Sequence, residues 1–269
     1  MILFPHAKIN IGLQIIRKRD DNFHDIETCM VPIPLYDILE VRLSEDFSFQ
    51  QTGIKLPDAV GENLCEKAFF LMKTRYKIGN VSIHLRKQIP IGAGLGGGSS
   101  DAAHVLLALN ELFGLKLTLD KLCRIAEEIG SDCPFFIRNK IQIAKGRGEL
   151  LTPVSLNLRG IHCVLLNPNI HVSTKEAYSN VVPKKLHKNL SQLLSLPFDK
   201  WNELIVNDFE ESVFKSHPKI QLLKKELLNS SAFYCSMSGS GASVYAFFKS
   251  PKEVPAIISN SLIKEFSWH

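Results

Sequence analysis

The stretch PIGAGLGGGSSDAA, Pro90–Ala103, decides how this chain is read. Five of the seven residues from Gly92 to Gly98 are glycine. Glycine lets the backbone take positive φ and brings bare N–H groups close to a ligand. Ser99 and Ser100 follow in what read as helix N-cap positions, and a helical run begins at once, from about Ser100 to Phe113, closed by Gly114. Loop amides feeding a helix N-terminus make an anion site, and phosphates are its obvious guests. Two familiar phosphate motifs fail here. A P-loop needs Gly-Lys-Ser/Thr, and no lysine precedes Ser99. The dinucleotide pattern GxGxxG matches formally at Gly92, Gly94 and Gly97, but the preceding strand alternates rather than reading as buried, and no convincing strand-end acid follows about 20 residues on. A glycine loop used only for close packing is the bland alternative.

Outward from the loop, Val81–Ile89 alternates apolar and polar, a strand with one wet face of the kind more typical of antiparallel sheets. Asn63–Lys77 and about 118–130 read as helices. Residues 2–16 read as a strand broken at Pro5, and 31–43 as two short extended pieces punctuated by Pro32 and Pro34. The texture changes near 150–160. Beyond it, Ile161–Leu166, Phe233–Met237 and Ser243–Phe248 read as strands. Trp201–Glu211 and Lys219–Leu228 read as helices, the latter with Pro218 in its first turn, and the tail from Pro255 as helical. The sum is an α+β chain, two α/β layers sharing a cleft, with no internal repeat.

The chain has 269 residues, 45% hydrophobic and 22% charged, enough for one large domain or two small ones. A net charge of +5 without any run of five or more like charges gives no strong sign of nucleic acid or membrane as a partner. Six cysteines without a CxxC pair, mostly in apolar surroundings, suggest reduced core residues rather than a zinc site or disulfide framework. Pro5, His6 and Lys8 interrupt the N-terminus before a signal sequence forms, and no stretch approaches a membrane span, so a cytoplasmic protein is expected.

Pro90–Ala103 resembles the second motif of the GHMP kinase superfamily: galactokinase, homoserine kinase, mevalonate kinase and relatives. HAKIN, His6–Asn10, is similar to its first motif, and MSGSGAS, Met237–Ser243, to its third. NFH (Asn22–His24), GSDCPFF (Gly130–Phe136), GRGE (Gly146–Glu149), VSTKEAY (Val172–Tyr178) and NDFE (Asn207–Glu210) are similar to the branch that phosphorylates a cytidine-diphosphate-linked methylerythritol for non-mevalonate isoprenoid synthesis. The likeness runs from residue 5 to about 248. It implies a two-domain α+β fold with ATP and a small-molecule acceptor in the cleft between; we expect domains of 1–155, with the glycine loop, and 156–269.

The resemblance implies Lys8 and Asp132 as the catalytic pair. Read alone, Lys8 is a lysine on an edge strand, or, with Asn10 on the same face, half of a polar pair projecting into a cleft. Asp132 alone is a turn aspartate. As a base it would suffice, because phosphoryl transfer needs mostly positioning and charge stabilisation. ATP would lie on Pro90, Ile91, Gly92, Ala93, Gly94, Leu95, Gly96, Gly97, Gly98, Ser99 and Ser100, flanked by Asn63 and Lys87. Mg²⁺ would bridge its β- and γ-phosphates. The acceptor would take Asn10, Phe23, His24, Tyr178, Gly239, Ser240 and Gly241, with the aromatic residues at cytosine. For Asn63 and Lys87 ordinary surface polarity reads nearly as well, and for Gly239–Gly241 a hairpin turn. The branch usually shows Gly-Tyr-His where this chain has Asn22-Phe23-His24. Asn tolerates positive φ, and Phe keeps the stacking face but loses the hydroxyl. A homoserine- or mevalonate-type kinase, and a nucleotide-binding regulator without catalysis, are the rival readings.

Overall fold

The computed structural model describes residues 1–55, 63–179, 181, 183, 189–254 and 261–268. It forms two compact units. The first comprises Met1–Lys8, Pro32–Ile91 and Gly96–Lys140. Its sheet has the order β1-β4-β6-β5, built from β1 (Ile2–Leu3), β4 (Ile38–Leu43), β6 (Val81–Lys87) and β5 (Ser48–Gly53). β6 alternates as expected, burying Val81, Ile83 and Leu85. It runs antiparallel to β4 but parallel to β5, so its wet face foretells only one neighbour. The helix α1 (Leu64–Tyr76) stands between β5 and β6 in the chain and supplies the crossover that a parallel pair needs.

Local chemistry sets the helix ends. The Asn63 side chain accepts the Cys65 N–H to open α1, and Lys77, in left-handed conformation, closes it. Thr118 caps α3 (Leu119–Glu127) through the Lys121 N–H. α2 (Gly97–Leu112) departs from the sequence reading. Its N-cap is Gly96, at φ +71°, with no side-chain cap, and Ser99 and Ser100 lie inside its first turn. The serines cannot cap because the left-handed turn at Gly96 already starts the helix: the Ser100 N–H reaches the Gly96 carbonyl at 2.9 Å. α2 packs on α1, on β4 and on α4 (Cys133–Arg138).

The second unit comprises Ile9–Val31, Gly92–Leu95 and Ile141–His269. One sheet has the order β2-β3-β7-β8, from β2 (His6–Lys18), β3 (His24–Tyr36), β7 (Gln142–Gly146) and β8 (Leu150–Pro153). The other has the order β10-β11-β9-β12, antiparallel throughout, from β10 (Tyr234–Met237), β11 (Val244–Phe248), β9 (His162–Leu166) and β12 (Leu262–Ser267). Short helices α5 (Thr174–Ser179), α6 (Leu190–Leu194) and α7 (Trp201–Leu204) precede α8 (Phe209–Ser216) and α9 (Pro218–Leu228). Phe209, Val213, Ile220 and Leu227 from these helices bury one core with Val164, Val244, Ala246 and Phe248 from the sheet. Each of the larger of these side chains is worth about 1.5–3 kcal/mol of burial.

Three expectations are corrected here. Pro32 and Pro34 do not divide the chain; β3 runs through both to Tyr36, because its ladder with β7 stops at Met30 and their missing N–H groups interrupt nothing there. The helix expected over Trp201–Glu211 breaks between Leu204 and Phe209, where Leu13 and Asp208 trade backbone bonds instead: the Leu13 N–H binds the Val206 carbonyl and the Asp208 N–H binds the Leu13 carbonyl. Tertiary pairing overrides helix propensity. The tail is a strand, β12, over Leu262–Ser267, held by β9; residues 255–260 lie outside the described residues. Among the described residues no helix is long and apolar enough to cross a membrane.

Candidate active site

In the first unit, Lys8 on β2 meets Asp132 at the start of α4. Nζ and Oδ2 are 3.6 Å apart, an ion pair rather than a hydrogen bond. Lys8 is buried with a side chain 4% exposed, while that of Asp132 is 31% exposed, so the carboxylate is the accessible partner. Burial pulls the Lys8 pKa down, and the Asp132 charge opposes it. The pair borders the helix start. A Cβ on Gly96 would lie 3.1 Å from Lys8 Cε and 2.7 Å from Phe136 Cζ. A Cβ on Gly130 would lie 4.0 Å from Ser99 Oγ. Lys8, Asp132, Gly96 and Ser99 therefore share one locality. The first-turn amides of Gly97, Gly98 and Ser99 have no carbonyl within their own helix to bind, and with the helix dipole they favour an anion. The Ser100 hydroxyl is buried without a partner.

Lys87 is buried rather than on the surface. Its ammonium bonds the carboxylates of Asp37 and of Asp101, the latter at 2.7 Å. Asp37 also accepts the N–H groups of Gln88 at 2.5 Å and Ile89 at 2.9 Å. The cluster thus grips the chain just before the glycine loop and just after it. Burial pushes the Asp101 pKa up against the pull of Lys87. Burial lowers that of Lys87, but the two carboxylates outweigh it and the net direction is up. A Cβ on Gly97 would lie 2.9 Å from Ile89 Cγ2 and 3.2 Å from Lys87 Nζ, so a side chain there would crowd both. Asn63 spends its side-chain oxygen on capping α1. Gly98 lies near the start of α1, with Leu64 Cδ1 3.9 Å from where its Cβ would be. Pro90 and Ile91, at the loop entrance, are half-buried.

In the second unit the Gly92–Leu95 stretch lies against the Met237–Ser243 turn. A Cβ on Gly94 would overlap the Ser238 carbonyl oxygen, which bars every other residue. Ser238 Oγ donates to the Gly94 carbonyl at 2.9 Å, and the Ser243 N–H to that of Ala93 at 3.2 Å. Gly239 and Gly241 are buried and Ser240 half-buried in the turn, which does join the antiparallel pair β10 and β11 as a hairpin. Asn10 borders it: its N–H donates to Ser238 Oγ at 3.2 Å, its amide to Thr28 Oγ1 at 3.0 Å, and its carbonyl accepts the Tyr245 hydroxyl at 2.7 Å. Gly92 is exposed beside His171, while Ala93 and Leu95 are buried.

Phe23, His24 and Tyr178 lie in the same unit. The His24 and Tyr178 rings stack at 4.7 Å and 19°. Phe23 is 49% exposed and lies under the Arg147 guanidinium, 4.8 Å from its centroid. Asn22 takes φ +64°, so the turn survives without the glycine usual there. Partial burial holds His24 below its ordinary pKa, with Lys18 adding to it, so the ring is neutral at pH 7.

Sequence reasoning missed Asp37, Asp101, Ser238 and Thr28 as partners. Asp101 and Ser238 stood inside quoted motifs, so adjacency to a glycine run was the available signal. Asp37 and Thr28 carried none, because the groups they bind are distant in sequence. Among the described residues no cluster of three or more His, Cys, Asp or Glu could hold a metal ion by itself.

Residues 63–140 match the GHMP kinases N terminal domain, and 186–261 the GHMP kinases C terminal domain. A protein of Azobacteroides pseudotrichonymphae named 4-diphosphocytidyl-2-C-methyl-D-erythritol kinase is 50% identical over 252 residues, covering 93% of this chain and 94% of that protein. One of the same name from Parabacteroides distasonis is 48% identical, covering 93% of each chain. A crystal structure of 4-(cytidine 5'-diphospho)-2C-methyl-D-erythritol kinase superposes with a TM-score of 0.77 at 30% identity, over 94% of this chain and 92% of that one. Homoserine kinase from Cytophaga hutchinsonii, at TM-score 0.65 and 19% identity over 92% of this chain and 86% of that one, shares the fold.

Proposed function

This chain belongs to the GHMP kinases, in their 4-diphosphocytidyl-2-C-methyl-D-erythritol kinase branch, and from that premise we propose how its own residues carry the transfer. It phosphorylates 4-(cytidine 5'-diphospho)-2-C-methyl-D-erythritol for isoprenoid precursor synthesis. The acceptor atom is the 2-hydroxyl oxygen and the donor is ATP. The observation that carries this reading is the Lys8–Asp132 pair at 3.6 Å, bordering the uncapped start of α2.

The Asp132 carboxylate accepts the hydroxyl proton as the oxygen attacks the γ-phosphorus. The bond from that phosphorus to the β-bridging oxygen breaks, and ADP leaves with the electron pair. A weak base serves because the transition state is loose. Lys8, held in place by burial, offsets charge on the moving phosphoryl group and orients the hydroxyl. The amides of Gly97–Ser99 and the Gly92–Leu95 backbone receive the nucleotide phosphates. Mg²⁺ would supply charge neutralisation to the transferring phosphates, and the Ser100 hydroxyl, buried without a partner, is the protein oxygen that would hold it. Lys87 and Asn63 stand on the nucleotide side, Lys87 by fixing the loop. The Gly239–Gly241 turn and Asn10 face the acceptor diphosphate.

Phe23, His24 and Tyr178 read cytosine. Ring contact needs about 3.5–4 Å per face, so a base cannot enter between His24 and Tyr178 while they stack at 4.7 Å. The base therefore stacks on an outer ring face or parts the two rings. The decisive experiment measures ADP release with ATP-Mg²⁺ and three acceptors: the cytidine-linked methylerythritol, homoserine and mevalonate. Turnover with the first alone is expected. Preference for either other acceptor overturns the reading.

A further inference from the structure

We infer that Asn207 and Ser238 are positioning residues, which lock the Gly239–Gly241 turn to the Ala93–Gly94 backbone so that both glycine-rich stretches hold one shape before any substrate arrives. The inference rests on the reading above that these stretches cradle phosphate.

Asn207 belongs to NDFE, a motif that the reaction itself leaves unused. It is 3% exposed. Its amide nitrogen donates to two carbonyls, those of Met237 and Gly239, each at 2.8 Å, and its oxygen accepts the Phe209 N–H at 3.0 Å. Only one orientation of the amide satisfies two acceptors and one donor, so nitrogen and oxygen are assigned by the network. The two carbonyls flank Ser238. The Ser238 hydroxyl in turn donates to the Gly94 carbonyl and accepts the Asn10 N–H. One side chain thus holds the turn from behind, and one hydroxyl ties its front to the other glycine stretch.

Asn207 is itself fixed. Leu13 bridges to it, and the Ile15 N–H donates to Asp208 Oδ2 at 2.7 Å. Glu210 of the same motif accepts the Met237 N–H at 2.8 Å and pairs with Lys224 at 2.6 Å. In place of Asn207, aspartate sets an oxygen against two carbonyl oxygens, and serine is too short to reach both. Displacing a positioning backbone by about 1 Å costs on the order of 100-fold in rate.

The test compares Asn207→Asp, Ser238→Ala and, as a stability control, Asn189→Ala, which removes the exposed cap of α6. Three readouts are taken on each protein: thermal melting, kcat and KM for both substrates, and hydrogen exchange of the amides from Gly239 to Ser243. Asn207→Asp and Ser238→Ala are expected to lower kcat by about tenfold or more, to move acceptor KM less, and to speed exchange in the turn. The double variant should fall little below the worse single one, because both act through one backbone. Asn189→Ala should melt lower with kcat intact. Asn207→Asp and Ser238→Ala that merely melt lower, with kcat intact, overturn the inference. If Asn207→Asp does not fold, Ser238→Ala with Glu210→Gln decides the matter on the same readouts. Gly239→Ala separates the two levels. If it leaves kcat unchanged, the turn takes no part in the reaction and the phosphate reading fails. If it lowers kcat while Asn207→Asp and Ser238→Ala do not, only the positioning role is lost.

Discussion

Lys8 and Asp132 lie 3.6 Å apart, one buried and one partly exposed. Asp132→Asn keeps the shape and removes the proton acceptor and the negative charge. Single-turnover phosphoryl transfer at saturating substrate should then fall by roughly 10²–10⁴-fold, with nucleotide and acceptor affinities nearly unchanged. A near-normal rate would strike Asp132 out as the base. Lys8→Ala should be as severe, and the double variant much less than multiplicatively worse. Both residues were legible in the sequence only through motif resemblance; a buried lysine and a turn aspartate have no shared local signal. Asp37 was illegible altogether. Nothing in VPIPLYD announces that its carboxylate binds Lys87 and the N–H groups of Gln88 and Ile89.

At the scale of elements, the glycine run was read rightly as a helix approach, but the helix begins earlier than its serines suggest. Gly96 at φ +71° is the cause, since a left-handed N-cap costs glycine nothing and a β-branched residue a great deal. Gly96→Val should therefore abolish ATP binding in titration calorimetry on the folded variant, by straining the turn and driving a side chain into Phe136 and Lys8. Unchanged affinity would mean that the α2 start is not the phosphate seat. Amphipathic helices and alternating strands were legible because each period reports one buried face. The break between α7 and α8 was not, because a distant strand, through Leu13, takes the backbone groups that a continuous helix would need. β12 was equally hidden: its run reads as well for a helix until β9 offers it a ladder.

For the molecule as a whole, buried titratable groups outside the chemistry set the response to pH. His104 in α2 donates from Nδ1 to the Ser100 carbonyl at 2.8 Å and meets the His6 ring edge-on at 5.8 Å. Burial drops its pKa from 6.5 to about 4, and lowers that of His6 too. Between those values the unfolded chain takes the proton first, so stability present above pH 6.5 drains away as pH falls, by at most roughly 3 kcal/mol for His104. His104→Gln cannot charge, so its unfolding free energy should drop less between pH 7 and 4.5 in urea titrations; an equal drop would assign the acid sensitivity elsewhere. All six cysteines are buried and unpaired, as their apolar settings in the sequence suggested. The two compact units are another matter, for each is assembled from three separate stretches of chain. That division has a consequence during synthesis. The strand segment Ile26–Met30, buried in the folded protein, leaves the ribosome early, yet its β7 partners, Gln142–Gly146, follow more than a hundred residues later. At roughly 5–20 residues per second the nascent chain must hold that sticky edge unpaired for about 6–20 seconds, long enough to make it a natural client of ribosome-bound chaperones.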